Sequence, residues 1–370
     1  MTTHLIGARL KALRDKRDLN QDDVAAIFGF KDRQTVSSIE NGERRLSAEE
    51  LVRLVEALKV PLDYFTDPYR LDGEAKFSWR RDIGTPVDTL EAYERSSSRW
   101  IAAFRVIAPQ VGGKAPLFRQ GLRLTKTSSF EEAMEAGERF AETYELGDVP
   151  ADRLAHVMEE RLGILTLMVN ARDGISGAAC RLPDIDSVLI NRHEVAGRRH
   201  FDLAHELFHI LTWDEMPPER FEDSQAMGKR SRVEQLADNF ASAVLIPRRL
   251  LEDVNWQVLI GDNLTGLINA RADALKVTAQ ALKWRLVALE LLKRPQVQDI
   301  RDAALRHNGR EAPAADQVPP LFSHKFMLVL SQALDQGLVS LRRASGLLDL
   351  DIDALSALFV EHGLQPPDEL

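Results

Sequence analysis

The chain has 370 residues, more than one ordinary hydrophobic core accommodates, so two or three domains are expected. It carries 48 Lys and Arg against 57 Asp and Glu, and the net charge of −9 argues against broad coating of nucleic acid while leaving room for a small local DNA-binding surface. A single cysteine excludes an intrachain disulfide framework. No run approaches the roughly 20 apolar residues of a membrane span, and the first residues read as an amphipathic helix rather than a signal peptide, so a cytoplasmic location is expected.

In chain order, residues 1–68 hold two short helices around a glycine-containing turn and two further amphipathic segments, the pattern of a helix-turn-helix bundle. Residues 69–127 look like a connector with one helix of its own. From Ser128 the pattern changes to two helices, the first capped by Ser128 or Ser129 and the second opened by Pro150. Three short segments rich in β-branched residues, ILTLMVN, ISGAACRL and SVLIN, then predict a small sheet. A helix around His205, a charged loop and a helix ended by Pro247 follow, and this third unit is placed at 128–295. Residues 296–370 predict a helical C-terminal domain with a regulatory role, after a break at NGREAPAADQVPP. The fold class expected is α+β, mostly helical.

The segment RRHFDLAHELFHILTW sets His205 and His209 one helical turn apart with Glu206 beside the first. At about 100° per residue, Leu203, Leu207 and Ile210 gather on one side of that helix and the histidines face away from it. Two neutral imidazoles at i and i+4 can share one tetrahedral zinc, and the adjacent acid is placed to take a proton rather than to ligate. A catalytic zinc needs a third protein ligand and an open fourth position. Glu234 is the best candidate, because it opens a helix whose apolar residues Val233, Leu236, Ala237, Phe240 and Val244 turn inward. Asp238, one turn on, shares its face and is placed to hydrogen-bond the outer nitrogen of a ligating imidazole.

His-Glu-x-x-His followed by Glu-x-x-x-Asp is a gluzincin-like arrangement, and RRHFDLAHELFH with EQLADNFASAVLIP resembles the ImmA/IrrE metallopeptidases over about Ser128 to Leu292. The resemblance implies one zinc per chain held by His205, His209 and Glu234, with Glu206 as general base. Phe208 stands where that family usually has glycine and Trp213 where a further histidine is common, departures that bear on the cleft rather than on ligation. The resemblance implies cleavage of one specific partner, commonly a DNA-bound repressor, in response to a stress signal. An oxyanion stabiliser is also required, and His193, His200, Arg199, Tyr144 and His324 are its candidates.

The N-terminal segment resembles the XRE/Cro-type helix-turn-helix family. By that resemblance Arg33, Gln34, Thr35 and Ser38 stand at or near base edges, and Gln21, Arg44 and Arg45 hold phosphates. Residues 1–70 carry twelve basic and twelve acidic side chains, so docking of a repressor or formation of a homodimer remains the competing role. Cys180, on a strand shortly before the zinc helix, is read either as a small core hydrophobe or as an inhibitory ligand whose thiolate fills the open zinc position. The domain order is similar to that of stress- and phage-response proteases, including the CapP-type proteases of CBASS anti-phage operons. Two alternatives stand beside the protease: a transcription factor whose metallopeptidase-like domain only senses a ligand, and a regulator that cuts its own chain between Asp67 and Ser128.

Overall fold

The computed structural model describes residues 2–81, 86–113, 119, 121–223, 231–306 and 318–366. The charged loop expected after the His205 helix lies outside these from residue 224 on, as does most of the break at 308–320. Five helices build the N-terminal unit: α1 (Thr2–Lys16), α2 (Gln21–Phe28), α3 (Arg33–Glu40), α4 (Ala48–Leu58) and α5 (Asp63–Thr66). Asn20 and Asp32 cap α2 and α3, each side chain accepting a backbone N–H three residues on, and Gly29 turns the chain between them at φ +71°. Leu10, Val24, Val36, Ile39, Leu54 and Phe65 close a separate small core.

Beyond it lie β1 (Lys76–Arg81), α6 (Val87–Ile107), α7 (Phe130–Thr143), α8 (Pro150–Glu160), β2 (Ile164–Val169), β3 (Ile175–Arg181) and β4 (Asp186–Asn191). There follow α9 (Ala196–Thr212), β5 (Phe221–Asp223), α10 (Arg232–Leu245), α11 (Gly261–Leu275), α12 (Ala279–Ala288), α13 (Arg294–Gln298), α14 (His324–Asp335), α15 (Leu341–Leu348) and α16 (Ile352–Glu361). The class is α+β and mostly helical. Ser129, not Ser128, caps α7, in a reciprocal box with Glu132. No described helix is long and apolar enough to cross a membrane.

The sheet runs β2-β4-β3-β1-β5, with β3 antiparallel to β4 and β1 and the two outer pairs parallel. Side chains alternate between its faces. Ile164, Ala179, Val188 and Ile190 face the layer that contains α7 to α10. Phe77, Trp79, Leu165, Leu167, Ala178, Cys180 and Leu189 face the layer built by α6 and α14 to α16. Burial on both faces explains why β2 to β4 read as nearly continuous apolar runs.

Two organisational expectations need correction. The 69–127 segment is more than a helical connector, because it supplies β1 to the sheet and α6 to the layer beneath it. The C-terminal helices do not form a core of their own. Phe322, Phe326, Met327 and Phe359 pack in the same cluster as Trp79 and Leu167, and the Phe322 amide donates to the Met168 carbonyl at 2.7 Å. A sheet with one helical face would leave its other apolar face in water, and these two segments cover it.

Helix α10 is held against α7 by a close crossing. A Cβ on Gly137 would stand 2.6 Å from the Phe240 carbonyl oxygen and 2.8 Å from the Ala243 Cβ. Gly137→Val should therefore push α10 away and destabilise the protein by about 1–3 kcal/mol. A fall in melting temperature measures this, and an unchanged value would mean that the crossing yields freely.

Candidate metal centre

Helix α9 runs beneath the sheet with its apolar residues Leu203, Leu207, Phe208, Ile210 and Leu211 in the core. Phe208 packs against Phe240 of α10 with ring centroids 5.5 Å apart, so the bulk that replaces the family's glycine is used to join the two helices. Arg181 anchors the end of α9, donating to the Ile210 carbonyl and lying over the Trp213 ring. Across from α9, the Ser231 hydroxyl caps α10 by accepting from the Glu234 amide, so Glu234 sits in its first turn.

The pairing of α9 and α10 brings three ligand-type atoms together. His205 Nε2 and His209 Nε2 are 3.1 Å apart, and the Glu234 carboxylate oxygens lie 3.2 Å from the first and 3.4 Å from the second. Both histidines are buried. Ligands about 2.0–2.1 Å from a tetrahedral zinc stand roughly 3.4 Å from one another, so the donor set fits such an ion. Among the described residues, His205, His209 and Glu234 are the group that meets the requirement for holding a metal. Asp238 Oδ1 lies 3.0 Å from His205 Nδ1, which leaves Nε2 directed at Glu234.

Electrostatics give the same picture. Burial and the Arg80 guanidinium oppose a proton on His205, yet Glu234 and the bonds from Asp238 and Glu234 outweigh them and raise its pKa to about 10. Burial likewise opposes ionisation of Glu234, but His205 and His209 hold its carboxyl well below the usual range. The centre is built around positive charge. Glu206 is buried beside it, beneath β3, where a Cβ on Gly177 would already stand 3.8 Å from Glu206 Cγ and 2.9 Å from the Leu189 carbonyl oxygen. The bare backbone at Gly177 spares a clash with the Leu189 carbonyl of β4.

Residues 10–65 match the family model of the helix-turn-helix, and residues 159–286 match that of the IrrE N-terminal-like domain. The chain is a fusion of these two domains. No curated protein and no solved structure matches it.

Four of the five expected oxyanion candidates are engaged elsewhere. His193 bonds Asn170, His200 and His324 bond the backbone carbonyls of Lys276 and His362, and Arg199 donates to those of Arg192 and Glu194. The fifth, Tyr144, packs its ring at a tilt against Phe140 at the end of α7. The cation that does stand at the centre is Arg80 of β1, which the sequence reading assigned to the connector. It donates to Asp202 Oδ1 at 2.6 Å, and although burial opposes its charge, Asp202, Asp238, Glu206 and Glu234 hold it protonated. Its signal in the sequence is faint: FSWRR alternates, but with charges at its end.

Of the two readings of Cys180, strand parity favours the core hydrophobe over the inhibitory ligand. Cys180 is paired with Phe77 and shares its face of the sheet, so its thiol lies among the residues packed under α6 and α14, opposite the face over α9. Its core reading fits that burial.

In the helix-turn-helix domain, Arg33 and Gln34 are exposed at the start of α3, with Thr35 and Ser38 half-buried behind them. Gln21 donates to Glu40, and Arg44 pairs with Glu50 and lies over the Phe30 ring, so both are anchored within the domain. Arg45 is exposed.

Burial also pushes the Cys180 thiol pKa well up. At pH 8 a disulfide reagent such as Ellman's should leave the native thiol intact and label the denatured chain, since the thiolate is the reacting form. As pH rises through the ordinary thiol range the unfolded chain ionises first, so this group's stabilising contribution is lost there. Cys180→Ala should cost about 1 kcal/mol and leave metal content unchanged. Loss of metal in that variant would restore a role for the thiol at the centre.

Proposed function

We propose that the protein is a zinc-dependent regulatory endopeptidase that cleaves one partner protein, a transcriptional repressor, in response to a stress or phage-related signal. The convergence of His205, His209 and Glu234 on one buried point, with Glu206 alongside, carries this reading. A zinc ion held by the three would supply Lewis acidity to the scissile carbonyl and to a water molecule.

The chain's own residues do the rest. Asp238 fixes the His205 ring through Nδ1 and so keeps Nε2 available. The Glu206 carboxylate takes a proton from the water that adds to the carbonyl and passes it to the amine nitrogen as the C–N bond breaks. The sheet and α10 exclude bulk water from that exchange. Arg33, Gln34, Thr35 and Ser38 present the start of α3 to DNA, with Arg45 and the anchored Gln21 and Arg44 on the phosphates; this brings the protease to its repressor at the operator. A ligand-sensing transcription factor is the second reading, and the buried acid at Glu206 speaks against it, since sensing needs no general base.

Metal analysis of purified protein should give about one zinc per chain, and His209→Ala should lose it. Glu206→Gln should keep both zinc and melting temperature while lowering cleavage of the co-expressed repressor by at least a hundredfold, because an amide neither accepts nor passes the proton. Near wild-type cleavage by Glu206→Gln removes the assigned base. A metal-free chain that still cleaves ends the zinc reading.

A further inference from the structure

A cavity of about 430 Å³ opens between the first half of α9, α10 and α12. Asp238 and Arg80 are among its lining residues, and Asp238 bonds His205, so it adjoins the metal centre. Phe201 and Trp284 give it an aromatic wall, and Trp284 is about half exposed at 47%. Two buried guanidinium groups line the cavity. Arg285 donates to the Ile246 carbonyl and to Glu138, whereas the Arg80 side chain, only 8% exposed, has Asp202 as its one acceptor among the described residues. A guanidinium carries five N–H donors in a rigid fork, so donors beyond the one committed to Asp202 can face the cavity.

We propose that this cavity receives the peptide segment next to the scissile bond, and that Arg80 is a substrate-binding residue donating to a carbonyl or carboxylate oxygen of that segment. The inference rests on the metal-centre reading above and adds to it the site where the substrate chain is held. Asp202 orients the fork and leaves its other N–H groups for the ligand. Period-2 alternation aims Arg80 toward α9, and its partner across the ladder is Gly177. The pairing with β3 shifts register just after Arg80, an irregularity that turns the strand away beyond this point. The aromatic wall suits an apolar side chain attached to the same segment.

Two small probes separate the metal from the cavity. Acetohydroxamate ligates a metal and reaches no further, whereas benzylsuccinate offers one carboxylate to the metal, a second to a guanidinium and a phenyl ring to an apolar wall. Both are titrated calorimetrically into the zinc-loaded full-length chain. Arg80→Gln combined with Asp202→Asn removes the ion pair without leaving a buried charge. That double variant should keep zinc and bind acetohydroxamate within twofold of wild type, but bind benzylsuccinate at least tenfold more weakly. Trp284→Ala should weaken benzylsuccinate alone, by threefold or more.

Unchanged benzylsuccinate affinity in the double variant overturns the inference and leaves the metal centre standing. If that variant loses zinc, Arg80→Lys decides. It keeps the charge, but a lysine cannot hold Asp202 and a ligand in the same fork, so threefold or greater weakening is expected and equal affinity overturns the proposal. A wild-type chain that binds neither zinc nor acetohydroxamate removes the metal centre and this inference together.

Discussion

Four carboxylates gather around α9 and α10 beneath the sheet, Asp202 and Glu206 buried, Glu234 and Asp238 partly so. Carboxylates in such a place are costly unless positive charge faces them. The protein meets that requirement with Arg80 against Asp202, with the imidazoles against Glu234 and Asp238, and with a geometry that suits a doubly charged ion. The crossing of α7 and α10, the packing of Phe208 on Phe240 and the bare stretch of β3 at Gly177 all serve to hold this charge arrangement together.

What the sequence disclosed and what it hid follow from the range of the interactions. His205, Glu206 and His209 are legible because one helix places them, and a helix is a local object. Glu234 and Asp238 are legible for the same reason, since the α10 pattern begins near Ser231 and ends at Pro247. That the two helices meet is not local information, and only the motif's chemistry suggested it. Arg80 was invisible because β1 is a six-residue strand with an arginine buried at its inward position, and a charged residue in a short segment reads as a loop. Cys180 illustrates a different limit. Alternation alone says that it shares a face with Ala178 and opposes Gly177 and Ala179; which face meets α9 is decided by packing between distant segments.

The second layer of helices changes what the outer segments are for. Because α6 and α14 to α16 complete the core behind the sheet, the chain before and after the IrrE-like domain is part of the body that supports the centre. The junction with the helix-turn-helix domain is equally close. Arg9 donates to the carbonyls of Tyr64, Asp67 and Arg70, a Cβ on Gly73 would meet the Ala8 carbonyl oxygen at 2.5 Å, and Arg343 of α15 lies over the Tyr69 ring.

Strand β1 begins three residues after Gly73 and carries Arg80, so only the short turns at 67–75 separate the helix-turn-helix domain from the strand that reaches the charged centre. A strand paired on both sides cannot creep. Sliding by one residue would exchange its two faces, driving Trp79 toward α9 and Arg80 into the aromatic layer. The register of β1 is therefore fixed, and with it the placement of Arg80 against Asp202.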